Sequence, residues 1–201
     1  MVSRRNRPGF GRNDRRGCYI AGELLVHICC APCACLPVRS LREEGYRIKA
    51  FFYNPNIHPF REYQRRRDAV AKWAEHEAVA VTYASGYQLE EFLQGAVPTH
   101  QAGERCRYCY QLRLDAAAAQ AAAAGCPVFT TSLLISPYQK HDLIKELGQE
   151  SAARHGVEFL YRDLRPLWRA GVALSKELDL YRQPYCGCIY SEKERYWRPG
   201  C

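Results

Sequence analysis

Glu23-Leu24-Leu25-Val26-His27-Ile28, running at once into Cys29-Cys30-Ala31-Pro32-Cys33-Ala34-Cys35, is the stretch that decides the fold of this 201-residue chain. The first six residues form a short apolar run bounded by turn chemistry, which reads as a buried strand. A cysteine-rich turn follows, then a short helix over 39–44 that stops at Gly45. Outward from there the pattern repeats. A strand is expected over 47–53, the turn Asn54-Pro55-Asn56-Ile57-His58-Pro59 breaks it, and a long helix runs over 61–77 before a third strand over 78–83. Residues 88–93 read as helix and 95–103 as loop. An alanine-rich helix over 107–124 ends at Gly125, since alanine is the best helix former and glycine a common stop. A strand over 128–132, a helix over 138–154 and a strand over 157–161 follow, then short helix and loop into a second cysteine-rich patch. No internal repeat is present. Strands alternating with helices predict one α/β domain over 21–201 with a mostly parallel sheet. Sites in such folds form beyond the carboxyl ends of the strands, where the first cysteine cluster lies.

Residues 1–20 carry Arg4, Arg5, Arg7, Arg12, Arg15 and Arg16 without apolar periodicity and read as a basic flexible arm. The net charge of +8 and pI near 9.0 suit a phosphate-bearing partner, with nucleic acid first among them. No run approaches the ~18 apolar residues of a membrane span, and no apolar stretch or cleavage site follows the basic N-terminus. The expected location is the cytoplasm. Eleven cysteines are an odd count, so complete internal pairing is impossible. In a reducing compartment, clustered thiols point to metal binding or redox work rather than disulfides.

Seven of the cysteines fall in three groups: Cys29, Cys30 and Cys33; Cys106 and Cys109; Cys186 and Cys188. Cys106 and Cys109 share a helix face at their spacing, and Gly187 lets the backbone bend close around a metal centre. Seven thiols exceed the four ligands of one zinc ion. A [4Fe–4S] cluster takes four thiolates, leaving a surplus for a second metal or for redox thiols. The main alternative is a zinc-stabilised RNA-binding module without redox chemistry. A thioredoxin-like dithiol fits less well, because no clear strand precedes Cys106. Cys18, Cys126 and Cys201 stand outside any motif, as does Cys35, and read as buried apolar thiols or tail residues. Dinucleotide and nucleotide-phosphate loops, the nucleophile elbow and the zinc-protease motif are all absent. A reductase of this kind would draw its electrons from an external donor.

Several strings are long and unusual: residues 27–33 (HICCAPC), 52–59 (FYNPNIHP), Glu62-Tyr63 with Arg66, 106–114 (CRYCYQLRL), 129–138 (FTTSLLISPY), 174–176 (LSK) and 181–190 (YRQPYCGCIY). In these the chain resembles the QueH family of cobalamin-independent epoxyqueuosine reductases, over about residues 23–191. The resemblance implies a Rossmann-like fold of the adenine-nucleotide α-hydrolase (HUP) group, with the Cys29–Cys33 run where nucleotide-using relatives keep a phosphate loop. It also implies reduction of epoxyqueuosine in tRNA to queuosine, at a [4Fe–4S] cluster with an adjacent iron. Carried over by position, the metal ligand pool is Cys29, Cys30, Cys33, Cys106, Cys109, Cys186 and Cys188. Cys30, Cys106, Cys109 and Cys188 are the working set for the cluster, although the sequence leaves the choice of four open. His58 is the first candidate for proton transfer, ahead of His27, Tyr138 and Tyr190. Arg65, Arg66, Arg67 and Lys72 on one expected helix, with Arg105 and Arg107 beside the CxxC, are candidate RNA contacts. Sulfur transfer to tRNA, known in HUP relatives, is disfavoured because base activation there needs ATP and no phosphate loop is present.

Overall fold

The computed structural model describes Arg12–Asn13, Tyr19–Ile20, 22–99 and 102–198. Most of the basic arm over 1–20 therefore lies outside the described residues, as do Cys18 and Cys201. Within the arm, β1 (Arg12–Asn13) pairs antiparallel with β2 (Tyr19–Ile20).

The main sheet has five strands: β3 (Glu23–His27), β4 (Arg47–Phe52), β5 (Val81–Tyr83), β6 (Val128–Thr131) and β7 (Glu158–Phe159). Their order is β5-β4-β3-β6-β7, and every pairing is parallel. Chain order thus reverses direction between β3 and β6, the switch point at which open α/β sheets place ligands. Helices α1 (Ala31–Glu43), α2 (Phe60–Glu77), α3 (Leu89–Ala96), α4 (Ala102–Ala123) and α5 (His141–His155) make the crossovers, and α6 (Trp168–Glu177) and α7 (Ile189–Tyr196) follow. The α/β expectation holds, with the parallel Rossmann-like order that it implied.

Both faces of the sheet are covered, which is why β3 reads as a continuous apolar run. Its alternate residues serve two cores. Leu24 and Val26 pack with Val38, Val70 and Trp73 on one side. Leu25 packs with Leu114, Phe129, Ile144 and Leu147 on the other. The alanine-rich helix belongs to this second core, where Ala117, Ala118 and Ala121 are fully buried against the sheet. Small side chains let α4 approach closely, so the run is packed helix rather than low-complexity chain.

Element boundaries differ from expectation for identifiable reasons. Helix α1 begins at Ala31, directly after the strand, rather than near residue 39. Pro32 occupies its first turn, where proline's missing N–H is no loss. Strand β5 is short because Ala78 adopts the left-handed conformation that closes α2. Helix α5 starts at His141 because a 3-10 turn over Ser132–Ile135 and the following bend use residues 132–139.

Candidate metal centre

Three strand ends form the floor of the site. His27, the last residue of β3, is fully buried and bridges both neighbours. Its Nε2–H donates to the Tyr53 carbonyl at 3.0 Å, and its Nδ1 meets Thr131 Oγ1 at 2.9 Å. Thr131 Oγ1 also accepts from Leu133 N at 3.2 Å, so the hydroxyl proton points to His27. Burial pushes the His27 pKa down to about 4, and the Arg113 charge acts the same way. The ring is a neutral brace across the switch point.

The brace aims the first cysteine group. Cys29 N donates to Ser132 Oγ at 3.0 Å, and Ser132 Oγ in turn donates to Cys29 Sγ at 3.3 Å. Asn54 Nδ2 donates to Ile28 O at 2.8 Å. Cys30 is the N-cap of α1 and Cys33 lies in its first turn, so the strand-to-helix turn faces three thiols inward. Their sulfurs all lie within 4.8 Å of one another, the one such group of three or more metal-ligating side chains among the described residues. Cys29 and Cys30 Sγ are 3.8 Å apart. A tetrahedral ion with metal–sulfur bonds of about 2.3 Å spaces its sulfurs by about 3.8 Å, so the donor set fits thiolate-bound metal. Cys29 is held well below the usual thiol pKa by hydrogen bonds from Cys30 and Cys33, helped by Ser132 and His27. Cys30 is pushed up by burial and by Cys29, and Cys33 by Cys29 and Cys30.

The other two groups lie on α4 and on the chain that leads into α7. Cys109 on α4 packs with Cys188, Phe92 and Ala96 in a small buried cluster, and burial pushes its pKa up to about 12. Cys106, one turn earlier, packs against the core that contains Cys30 and Cys33. Cys186 lines a cavity together with Cys29 and Cys33. The cavity holds about 630 Å³, within the range of small-molecule sites. Among the described residues four arginines line it, Arg66, Arg113, Arg182 and Arg195, and no carboxylate does.

Arg113 is the least expected of these. It is buried on α4, one turn beyond Cys109, and its Nε donates to the Cys109 carbonyl at 3.1 Å. Its Nη2 has no hydrogen-bond partner among the described residues. Burial opposes its charge, but nearby Cys109, Cys186, Tyr110 and Cys29 outweigh this and raise its pKa. A buried cation without a carboxylate, facing thiols, suits an anionic thiolate-held group.

The Cys186–Cys188 loop has no regular structure and is clamped by side chains of α2. Arg66 pairs with Glu62 at 2.7 Å, and both are buried. Arg66 Nη1 and Nη2 donate to the carbonyls of Cys186 and Tyr185 at 2.9 and 3.1 Å. Tyr181 donates to Glu62, and Tyr185 to the His58 carbonyl. His58 N donates to Gly187 O at 2.9 Å. Gly187 has φ +140°, and a Cβ there would sit 3.0 Å from Asn56 Nδ2 and 3.2 Å from Arg66 Nη1.

The remaining candidates separate by burial. His58 is buried, its Nε2 bonded to Pro55 O at 3.1 Å and its ring against Phe92 at 5.3 Å. It does not line the cavity. Arg65, Arg67, Lys72 and Arg107 are exposed. Arg65 and Arg67 lie over the rings of Tyr181 and Tyr83, Lys72 bonds Asp179, and Arg107 pairs with Glu146. Arg66 turns inward to the clamp, and buried Arg105 pairs with Glu194 and lies over Tyr190. Sequence reasoning missed Arg113 and Gln183, whose Nε2 lies 2.8 Å from Cys30 Sγ. Arg113 had a signal in its spacing of four from Cys109, which puts both on one helix face. Gln183 had none.

A family model described as "Epoxyqueuosine reductase QueH" matches residues 24–194. Among curated proteins, the epoxyqueuosine reductase QueH of Dehalococcoides mccartyi is 39% identical over 181 residues, covering 90% of this chain and 98% of that protein. The protein of the same name from Thermotoga maritima is 37% identical over 182 residues, covering 87% of this chain and 92% of its own length. That from Acinetobacter baylyi is 34% identical over 188 residues, covering 89% and 84%. With Cys29, Cys33 and Cys186 lining one arginine-rich cavity, and a family match running from β3 into α7, the chain belongs to the QueH family.

Proposed function

We propose that this chain reduces epoxyqueuosine in tRNA to queuosine, with residues 21–201 as the catalytic unit and 1–20 as a basic arm that contacts RNA. The observation that carries the reading is the cavity that, among the described residues, combines Cys29, Cys33 and Cys186 with four arginines and no carboxylate. A thiol-bound redox centre and a phosphate-bearing substrate both find their chemistry there. The reaction removes the epoxide oxygen as water and leaves an alkene, consuming two electrons from an external donor and two protons. No described helix is long and apolar enough to cross a membrane, and a tRNA substrate assigns the work to the cytoplasm.

The residues that would hold the metal groups are Cys30, Cys106, Cys109 and Cys188 for a [4Fe–4S] cluster, with Cys29, Cys33 and Cys186 left to an adjacent iron. When bound, the pair supplies single electrons and a Lewis-acidic position for an oxygen ligand. The chain's own part is placement and charge. The His27 brace and the Ser132 hydroxyl orient Cys29. The Arg66–Glu62 clamp orients Cys186, and Ser191 bonds Cys188. Arg113 balances negative charge gathered on the thiolates. His58 serves the loop through its backbone rather than touching substrate, because its ring packs against Phe92 outside the cavity. Arg65, Arg67, Lys72 and Arg107 are exposed and available to phosphates, contacts that position RNA without reading its sequence. Arg66 and Arg105 act inside the fold.

Purification without oxygen, followed by iron, sulfide and zinc analysis and an assay on tRNA carrying epoxyqueuosine, tests the reading. About four iron and four sulfide per chain with further iron, and conversion of the modified base, are expected. Cys106→Ser, Cys109→Ser and Cys188→Ser should each lower iron content and turnover together, and full iron retention in all three removes that ligand set. The 3.8 Å Cys29–Cys30 spacing equally suits one tetrahedral ion. Stoichiometric zinc without sulfide, even after anaerobic reconstitution, would favour the zinc-stabilised RNA-binding module.

A further inference from the structure

The cavity has an aromatic rim that the thiol chemistry does not use. Tyr138, in the bend before α5, is 82% exposed, unusual for a tyrosine at the edge of a pocket. Trp168, the first residue of α6, meets it edge-on, with ring centroids 6.0 Å apart and an interplanar angle of 86°. Both line the cavity, as do the exposed Arg182 and Arg195. The perpendicular contact fixes the plane of the Tyr138 ring while most of its surface stays open. Neighbouring Gln139 reaches the cavity's far wall, its Nε2 3.9 Å from Cys186 Sγ. The rim therefore rides on the same short bend as a residue that touches the thiol set.

Fixed aromatic rings beside unpaired arginines match single-stranded nucleic acid: bases stack on the rings and the backbone follows the cations. Among the described residues Arg182 and Arg195 carry no salt bridge, and no described carboxylate lines the cavity to compete for them. We propose that Tyr138 and Trp168 stack an unpaired nucleotide of the tRNA next to the modified one, while Arg182 and Arg195 take the phosphates on either side of it. The inference rests on the tRNA reading above and deepens it. The rim holds the neighbour, so that the modified base can enter the cavity toward Cys29 and Cys186.

The test uses the anaerobically purified full chain and fluorescently labelled tRNA carrying epoxyqueuosine, with affinity measured across a salt series. Tyr138→Ala and Trp168→Ala should each weaken binding about tenfold or more at fixed salt, as loss of one stacked base does, with the salt slope unchanged. Arg182→Gln and Arg195→Gln should each flatten the slope by about 0.7, the loss of one single-strand phosphate contact. Iron content and melting temperature, measured in parallel, must stay at the wild-type level for these losses to count as binding. Affinity within twofold of wild type for both aromatic variants would overturn the rim, even if tRNA is still bound and converted. Affinity lost only together with iron would also overturn it, by making the ring a support of the metal site. Failure of the wild-type chain to bind tRNA at all would instead remove the proposed function, and the rim with it.

Discussion

The two ends of the cysteine site are built by different means. Cys29, Cys30 and Cys33 sit where a central strand turns into a helix, so the parallel sheet and the helix start place them. Cys186 sits on irregular chain and is held by Arg66, itself paired with Glu62, about 120 residues earlier, while Cys188 caps α7. The first arrangement spreads its support over many backbone bonds, while the second leans on one buried ion pair and the few tyrosine and backbone bonds around it. Loss of a single side chain should therefore damage the loop far more than the strand end.

Arg66→Met should break this comparison most sharply. It leaves Glu62 buried without its cation and frees two carbonyls, destabilising the fold by about 3–5 kcal/mol in urea denaturation. Iron content should fall with it. Glu62→Gln combined with Arg66→Met removes both charges and should recover much of the stability but not the iron. If the double variant also recovers iron, the clamp is not what positions the loop. Gly187→Ala comes next. It meets Asn56 and Arg66 and places a side chain at φ +140°, a strain of about 1–3 kcal/mol. A lower melting temperature and weaker iron retention are expected, and unchanged values of both would show that the loop has room to shift.

On the strand-end side, Thr131→Val removes the hydroxyl between His27 and Leu133 N. Leaving those buried groups unmet costs about 1–2 kcal/mol. Iron content should hold, because the Cys29–Ser132 bond remains. Iron loss as large as in Gly187→Ala would erase the difference between the two regions. Arg113→Met should have the smallest effect on folding, since no carboxylate among the described residues pairs with Arg113 and none is left buried alone. Its signature is electrochemical: the metal centre should reduce at lower potential in Arg113→Met and nearer the wild-type potential in Arg113→Lys. Equal potentials in all three proteins, measured by spectroscopic titration, would separate Arg113 from the site.

Local pattern carries much of this molecule. The apolar run at Glu23, the turn residues after Tyr53 and the alanine-rich helix each announce their element, because period and turn chemistry depend on near neighbours in the chain. The three cysteine groups are equally plain, since thiols clustered at these spacings are the usual ligands of a metal centre. Burial, however, is set by what packs from elsewhere. Arg65, Arg66 and Arg67 are consecutive and look alike, yet Arg66 alone turns inward to hold a loop, because only its direction on α2 meets Glu62 and the carbonyls of Tyr185 and Cys186. His58 has the look of a catalytic residue in its turn, but Phe92 and Pro55 claim its ring. The sequence by itself determined the parallel α/β order, the thiol inventory and the family, all properties of type and spacing. Only the tertiary structure decided that Arg113 and Gln183 stand beside the thiols and that Tyr138 and Trp168 meet in the lining of the same cavity, because those relations join side chains across elements that no local period links.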